Sequence, residues 1–248
     1  MKEIRLENFR CYTSQVIRYK SGINLLIGDN ASGKTSILKA CRYVLSAFFS
    51  GFSDENTKWI SPDIDDFTII EKDGIVLPEK PIVLSFTIDE DMYKPVSYKD
   101  IFFNPACYGE YQLRKNTKKN SRSLISGIKH YRDYAKLLYS NFIDGEHGQV
   151  YPLPLFAGFT TEDIHASRKI DSAKFQSYAQ KSSFGYYECL SGERFFPYWI
   201  NRLLILEEGG KNKQEVEIVK NAIISALGVN GCNIIDDMQI RPNQKKVY

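Results

Sequence analysis

Apolar residues near the start of the chain alternate with charged ones, as in a strand that has one solvated face. The apolar positions of this stretch are Ile4, Leu6 and Phe9. Residues 16–19 form a second short apolar run, and Ser21-Gly22 is a turn signal. Residues 23–27, INLLI, are short, branched and apolar, which is typical of a buried strand. The pattern predicts two antiparallel strands followed by one buried strand.

After residue 33 the apolar residues recur at the three- and four-residue spacing of an amphipathic helix. These positions are Ile37, Leu38, Cys41, Val44, Leu45, Phe48 and Phe49. Ser50-Gly51 then supplies a stop signal. A strand, a glycine-containing loop and an amphipathic helix are therefore expected in that order between residues 23 and 51.

Beyond residue 51 the pattern is weaker but still predicts several elements. Ser61-Pro62-Asp63 and Asp73-Gly74 are turn signals in the polar stretch 52–81, and residues 82–88 are the next clear strand. A helical stripe follows over residues 124–142, and then a buried strand over 152–159 with its prolines at the start. Residues 175–196 are aromatic-rich and mostly helical in pattern. The last predicted elements are a helix through Val216, Val219, Ile223 and Leu227, which Gly228 closes, and one more strand within 232–248.

The 248 residues have the composition of an ordinary globular protein, with 43% hydrophobic and 25% charged residues. This length fits one large α/β domain or two smaller ones. The 16 tyrosines and 15 phenylalanines argue against general disorder. The formal charge of +3 is too small to indicate a nucleic-acid partner by itself, so a local patch would have to carry that case.

The five cysteines are widely spaced and form no C-x-x-C pair, which favours a reducing compartment and mostly buried thiols. The three histidines lack zinc-ligand spacing. The charged N-terminus is unlike a signal peptide, and no apolar run reaches the length of a membrane span. We therefore expect a cytoplasmic protein without a membrane partner.

Residues 28–35, GDNASGKT, fit the pattern G-x-x-x-x-G-K-[ST] of the phosphate-binding loop in P-loop NTPases. Its two glycines allow a tight turn around a polyphosphate, and the amides that follow lie at the positive end of the helix. The lysine supplies a charge for the β- and γ-phosphates, and the hydroxyl of Thr35 can bind Mg²⁺. The predicted ATP-binding residues of this loop are Gly28, Asn30, Ala31, Ser32, Gly33, Lys34, Thr35 and Ser36.

Residues 114–122, RKNTKKNSR, carry five positive charges and no acid. A solvated loop is one interpretation of this run. The alternative is a contact with a phosphate backbone, which would make binding depend steeply on salt.

The opening of the chain resembles that of ABC-type ATPases of the SMC and RecF kind. The residues that carry the resemblance are LENFRCY at 6–12 and INLLIGDNASGKTSIL at 23–38, which match the "NFR" segment and the "GxNxxGKT/S" loop of that group. The resemblance implies an α/β P-loop NTPase fold, the N-terminal part of an ABC-type ATPase head, in which a mixed sheet carries an antiparallel β subdomain and a helical insertion. It also implies ATP and Mg²⁺ as cofactors. Arg10 resembles the family arginine that lies near the nucleotide, and a surface role for it stays open.

The second half of the chain is similar to PtuA-type ATPases, which belong to Septu anti-phage defence systems and certain retrons. The matching segments, in the same order, are residues 153–159, residues 195–199 and the helix end at 226–228. The resemblance implies an HNH-type nuclease and DNA as partners, and association of the ATPase heads into a homo-oligomer.

Two parts that such an ATPase needs have no clear counterpart in this sequence. Leu203–Glu208 has the apolar run and acids of a Walker B strand, but it lacks the aspartate and also suits a helix. Residues 234–237 follow too short an apolar run, and residues 190–193, LSGE, resemble an abbreviated signature motif or an ordinary turn into a helix. The candidates for the Q-loop glutamine are Gln112, Gln149, Gln176 and Gln180.

In the resembling family the signature and Walker B motifs follow the helix that ends here near Gly228. We therefore expect the chain to be the N-terminal portion of a longer ATPase, with an unpaired sheet edge that invites pairing with another segment. Residues 1–51 would hold the strands, loop and first helix, residues 90–150 an insertion or lid, and residues 151–248 a continuing α/β and helical part.

Three functions stay open from the sequence. The first is the ATP-binding part of an SMC, RecF or PtuA-like ATPase that hydrolyses ATP when completed, in defence or in RecF-like DNA repair. The second is another P-loop enzyme, although the N-K-x-D motif of GTPases is missing and small-molecule kinases lack antiparallel strands ahead of the loop. The third is a nucleotide-binding module without turnover.

Overall fold

A computed structural model of the chain describes residues 1–52, 59–89, 93–116, 125–144, 151–158, 186, 189–190, 202–208, 213–226, 239–241 and 246–247. The chain divides into two compact units, Met1–Gly158 and Phe159–Tyr248. Within the described ranges, every helix is too short or too polar to cross a membrane.

Most of the regular structure that can be described lies in the first unit. Among the described residues, the strands in chain order are β1 (Glu3–Phe9), β2 (Tyr12–Arg18), β3 (Ile69–Lys72), β4 (Ile75–Pro78), β5 (Ile82–Thr87), β6 (Val96–Tyr98), β7 (Ile101–Phe103), β8 (Glu110–Lys115), β9 (Ile240–Arg241) and β10 (Lys246–Val247). The α-helices are α1 (Lys34–Ser46), α2 (Lys129–Asp144) and α3 (Lys213–Ala226), and residues 202–208 are also helical. Shorter 3-10 turns cover Ala47–Gly51, Ile64–Asp66, Pro105–Tyr108 and Ile125–Ile128.

A four-stranded antiparallel sheet with strand order β2-β1-β5-β8 forms the base of the first unit. Leu6 of β1 lies opposite Leu84 of β5, which lies opposite Leu113 of β8, so one buried row crosses the sheet. Ile4 and Leu6 are fully buried, as their alternation with charged residues predicts. The two strands ahead of the loop and the strand over residues 82–88 are therefore confirmed.

Helix α1 packs one face into the first unit and continues into a 3-10 turn that ends at Gly51. Its buried positions are Ser36, Ile37, Ala40, Tyr43, Val44 and Ser46. The predicted helix and its stop are confirmed, although Leu38 is 55% exposed and lies beside the buried stripe. Helix α2 confirms the predicted helix over residues 124–142, and it buries Tyr131, Tyr134, Ala135 and Leu138.

Aromatic side chains fill the space between α1, its 3-10 turn and α2. The ring of Phe48 lies at their centre, with ring centroids between 5.3 and 6.5 Å away in Phe49, Phe52, Tyr93, Tyr131, Tyr134 and Phe156. Edge-to-face pairs of this kind favour fixed ring orientations. The Tyr93 and Tyr131 hydroxyls share a hydrogen bond of 3.0 Å, which satisfies both inside the core.

The predicted buried strand over residues 23–27 is wrong in this structure. Residues 23–29 have no regular secondary structure, and Ile23, Leu25 and Ile27 are 99%, 78% and 85% exposed. A buried strand needs neighbours that satisfy its N–H and C=O groups. No strand in the described ranges pairs with this segment, so its apolar residues stay at the surface.

The predicted buried strand over residues 152–159 is also wrong for its described part. Residues 152–158 are irregular, because Pro152 and Pro154 have no N–H to donate to a ladder. Phe156 is buried against Phe48, whereas Leu155 is 84% exposed. Burial at this position thus comes from one aromatic side chain and not from a strand.

The sequence prediction found the turn at Asp73-Gly74 but missed the hairpin around it. Both residues have positive φ, 54° and 72°, and they join β3 to β4. Most apolar side chains of this ribbon are exposed, including Ile69, Ile75 and Val76. Without a buried face, the two-residue alternation that announces a strand is missing.

The basic run is not entirely a solvated loop. Arg114 and Lys115 belong to β8, and the Lys115 side chain is buried, where its ammonium donates to the Pro62 carbonyl. The sheet therefore uses one of the five charges internally. Residues 117–122 of the run lie outside the described residues, so their predicted role stays a prediction.

The second unit has a small core of its own. Leu203, Leu204, Val216 and Ile240 are buried together, with Leu206, Val219 and Ile223 packed against them. Arg202 and Glu215 form an ion pair of 2.8 Å between the helical segment 202–208 and α3. The helix through Val216 is confirmed over Lys213–Ala226, while Leu227 and Gly228 lie outside the described residues.

Two short strands, β9 and β10, pair antiparallel within the predicted final strand region, and Pro242 lies outside the described residues. Residues 203–208 are helical, so the Walker B interpretation of that segment is wrong. Leu190 lies in a turn. The other residues of the 190–193 candidate, the 234–237 candidate and most of 175–196 lie outside the described residues.

Candidate nucleotide-binding site

The loop at residues 28–35 turns sharply just before α1. The amide of Ser32 donates to the carbonyl of Asp29 at 3.2 Å, which closes a tight turn. Ala31 and Gly33 both have left-handed backbone, with φ of 64° and 91°. Glycine adopts this conformation freely, whereas alanine at position 31 is held there at a cost.

Among the described residues, no side chain caps the first backbone amides of helix α1. Gly33 is the residue before the helix and has no side chain to cap it. The first helical bond runs from the amide of Ile37 to the carbonyl of Gly33, at 3.1 Å. The first turn also contains no acidic residue. Uncapped amides at the positive end of a helix dipole are suited to an anion.

Lys34 is the first residue of α1 and folds back over the loop. Its ammonium lies 2.7 Å from the Gly28 carbonyl, 2.5 Å from the Asp29 carbonyl and 3.3 Å from the Ser32 hydroxyl. Carbonyls are neutral acceptors, and a phosphate would offer charged ones that form stronger hydrogen bonds. The lysine is therefore held at the loop by partners that an anionic ligand could replace.

The two hydroxyls that follow Lys34 differ in environment. Thr35 is exposed on the first turn of α1, and among the described residues its hydroxyl has no hydrogen-bond partner. Ser36 is buried, with its hydroxyl oxygen 3.9 Å from the Cys11 sulfur. One accessible hydroxyl fits Mg²⁺, which usually keeps several waters and takes its other ligands from substrate phosphates.

The turn between β1 and β2 lies against the loop. The Tyr12 hydroxyl donates to the Ser32 carbonyl at 3.2 Å. A methyl group at Gly33 would lie 2.3 Å from that hydroxyl oxygen and 2.8 Å from the Cys11 sulfur. The expectation of mostly buried thiols fails at Cys11, which is exposed at this contact.

Arg10 occupies the same turn, next to the residues that contact the loop. Its φ is 55°, and its amide donates to the Asp66 carbonyl at 2.8 Å. Within the described part of the chain, its guanidinium makes no hydrogen bond or ion pair. The structure therefore places Arg10 beside the site, and its contact with a nucleotide stays a prediction.

A buried carboxylate joins this turn to the back of α1. The side chain of Asp66 is fully buried and accepts from the Tyr43 hydroxyl at 2.5 Å and the Asp63 amide at 2.9 Å. The Lys39 ammonium lies 2.8 Å from its other oxygen. Burial alone would raise the pKa of Asp66, but the ion pair with Lys39 and the hydrogen bonds from the Tyr43 hydroxyl and the Asp63 amide outweigh burial and lower the pKa. Asp66 therefore stays ionised and fixes α1 against the hairpin.

Replacing Gly33 with alanine is expected to weaken ATP binding and to lower the free energy of unfolding by about 1–2 kcal/mol from backbone strain. The new methyl group would also displace Tyr12 and Cys11. Gly74→Ala is the matched control, since Gly74 has φ of 72° with no atom within 4 Å of the added methyl group. Calorimetric titration with ATP should show a loss for Gly33→Ala alone, and equal affinities in the two variants would contradict the loop assignment.

The structure brings the predicted residues together in one place. Gly28 and Ser32 lie against each other and close the loop. The approach is so tight that a methyl group added at Gly28 would lie only 2.7 Å from the Ser32 hydroxyl oxygen. Sequence reasoning missed Tyr12 and Asp66, whose roles depend on contacts between distant segments. The predicted Q-loop candidate Gln112 lies in β8 and donates to the Ser85 hydroxyl at 3.2 Å. Gln149, Gln176 and Gln180 lie outside the described residues.

Comparison with known proteins assigns the sequence to a family. The sequence matches the AAA_23 family, described as an AAA domain, over residues 3–225. It is 48% identical over 40 residues to the DNA double-strand break repair Rad50 ATPase of Pyrococcus abyssi, a match that covers 16% of this chain and 4% of Rad50. It is 38% identical over 72 residues to the DNA replication and repair protein RecF of Francisella tularensis subsp. novicida, which covers 29% of this chain and 20% of RecF.

A solved structure described as "Structural biochemistry of ATP-driven dimerization and DNA stimulated activation of SMC ATPases" is also similar. The identity is 18% and the TM-score 0.34, with 71% of this chain and 95% of that chain covered. The matched segments span only a small part of the Rad50 and RecF chains. The family match, in contrast, extends over most of the sequence. The chain belongs to the AAA_23 family of AAA domains, and it is an α/β P-loop ATPase domain related to Rad50 and RecF.

Proposed function

We propose that the loop at residues 28–35 binds Mg-ATP. The amides from Asn30 to Ser36 would hold the phosphates, Lys34 would neutralise the β- and γ-phosphates, and Thr35 would supply one ligand to Mg²⁺. The observation that supports this most is the uncapped start of α1 beside a left-handed loop that already holds a lysine. Three features that favour a polyanion thus converge on eight consecutive residues.

Hydrolysis is proposed for a site that also contains a Walker B carboxylate and a signature motif. Catalysis would then rest on positioning and charge stabilisation around an in-line water attack. The SMC ATPases in the similar structure are described as dimerising with ATP, and we propose a comparable association of heads for this chain.

A role in anti-phage defence is the finer part of the proposal. It is supported by the resemblance of the sequence to PtuA-type ATPases, which suggests an HNH-type nuclease and DNA as partners. The widely spaced cysteines support a cytoplasmic location. The alternative is a DNA-repair role like that of RecF. Copurification of the chain with an HNH-type nuclease from its native cells would favour defence, and its absence there would favour repair.

A second candidate function is nucleotide binding without turnover. The helical structure of residues 203–208 favours it, because this removes one candidate for the catalytic carboxylate. Phosphate release by the purified chain separates the two candidates. Turnover that Lys34→Ala abolishes would exclude the second candidate, and ATP binding without turnover would favour it.

Selectivity for adenine is the next expectation. Because the sequence lacks the N-K-x-D motif that reads guanine, ATP should displace a fluorescent ATP analogue at lower concentration than GTP does. The competition is measured by fluorescence anisotropy with Mg²⁺ present. CTP is the matched control for general triphosphate binding. A preference for GTP would contradict the assignment to an ATPase and favour a different P-loop enzyme.

A further inference from the structure

The tip of the β1–β2 hairpin holds Tyr12 firmly beside the loop. Phe9 pairs with Tyr12 in the ladder, so only Arg10 and Cys11 form the turn. The carbonyl of Tyr12 accepts a hydrogen bond of 3.2 Å from the Thr68 hydroxyl. Its side-chain hydroxyl donates to the Ser32 carbonyl at 3.2 Å. Main chain and side chain of Tyr12 are therefore both fixed, and the side chain contacts the loop.

The bond to Ser32 controls the direction of the next amide. In a trans peptide the C=O of Ser32 and the N–H of Gly33 lie in one plane and point in opposite directions. A hydroxyl that holds the carbonyl toward the hairpin therefore directs the Gly33 amide away from the hairpin. Ala31 and Gly33, on either side of Ser32, both have left-handed backbone. The Ser32–Gly33 peptide plane is therefore the part of the loop whose orientation must be fixed.

We propose that Tyr12 is a positioning residue of the nucleotide site, which orients the Ser32–Gly33 peptide so that the Gly33 amide is ready to donate to a phosphate. The inference rests on the proposed function of the loop. Fixing a donor before the ligand arrives lowers the entropy that binding would otherwise cost.

Two further observations support this role. Any side chain at Gly33 would meet the Tyr12 ring, since an added methyl group would lie 2.7 Å from its Cζ atom. The hairpin and the loop are therefore in direct contact. The Tyr12 hydroxyl also keeps its donor proton at neutral pH, as any phenol does, and burial raises its pKa further.

Tyr12→Phe tests the inference, because it removes the hydroxyl and keeps the ring. We expect the affinity for ATP and for inorganic tripolyphosphate to fall by the same factor, about two- to tenfold for one hydrogen bond. Tyr19→Phe is the matched control. It removes a hydroxyl that lies 2.9 Å from the Cys41 sulfur and should leave both affinities unchanged. Calorimetric titration measures all values, at a temperature where melting curves show each variant folded.

Each outcome decides the matter. Equal affinities for Tyr12→Phe and the unmodified chain would overturn the inference while leaving the proposed function intact. A loss for ATP but not for tripolyphosphate would also overturn it, because Tyr12 would then contact the base or ribose. Failure of the unmodified chain to bind either ligand would instead reject the proposed function.

Discussion

ATP affinity is expected to fall by about thirtyfold to a few thousandfold when Lys34 is replaced with alanine. The ammonium of Lys34 is expected to bind the β- and γ-phosphates. In the structure it donates hydrogen bonds to the carbonyls of Gly28 and Asp29 in the loop. Losing a charged partner of a bound anion costs far more than losing a neutral hydrogen bond. Isothermal titration with Mg-ATP measures the effect directly.

The Lys34→Ala variant should stay folded, because its bonds to the loop are exposed and contribute little to stability. Lys72→Ala is the control, since Lys72 is exposed on β3 and carries the same charge. We expect Lys72→Ala to bind ATP as the unmodified chain does. Equal affinity of Lys34→Ala and Lys72→Ala for ATP would remove the assignment of the loop.

Stability should change most at Asp66. Replacing Asp66 with alanine is expected to lower the free energy of unfolding by about 2–4 kcal/mol. The Tyr43 hydroxyl would stay buried without its acceptor, and the Lys39 ammonium would keep only its longer ion pair with Asp63, at 3.9 Å. The cost is below that of a fully buried pair because Lys39 is 29% exposed and can reach water. Denaturant titration followed by circular dichroism measures the change.

Asp65→Ala is the control for this variant, since Asp65 is exposed in the same 3-10 turn and should shift stability by less than about 0.5 kcal/mol.

Acid provides a second test of the role of Asp66. The pKa of folded Asp66 is lowered below its ordinary value of 3.8. Its ionised form therefore stabilises the fold at higher pH, and this contribution is lost as the pH falls from about 4 through the lowered pKa. The stability gap between the unmodified chain and Asp66→Asn should close in that window, and a constant gap would contradict the ionised state.

The local sequence pattern correctly predicted the strands and helices whose buried face can be read from the spacing of their own apolar residues. The buried side chains of β1 follow the alternation of Ile4 and Leu6, and α1 follows the helical spacing of residues 37–49. The loop was predicted because its glycines, lysine and threonine have fixed spacing. These features need no knowledge of distant segments.

The errors lie where burial depends on a partner. Residues 23–27 are apolar enough for a core strand, yet in the described part of the chain no strand pairs with them. The solvated-loop interpretation of residues 114–122 fails at Lys115, which is buried in β8 beside Pro62. Asp66 belongs to no motif, and Tyr12 ends the LENFRCY segment without a role of its own in the pattern. Polar residues gain such roles only through tertiary contacts, which a single sequence does not reveal.

If the loop binds ATP as proposed, the main-chain amides of residues 30–36 surround its triphosphate. Amide resonances of a ¹⁵N-labelled sample, recorded with and without Mg-ATP and tripolyphosphate, test it most directly. Resonances of residues 30–36 should move with both ligands, while those of Asp73 and Gly74 at the exposed tip of the β3–β4 ribbon should stay in place. If ATP instead moves a separate group of amides and leaves residues 30–36 unchanged, the nucleotide binds elsewhere and the assignment of the loop is wrong.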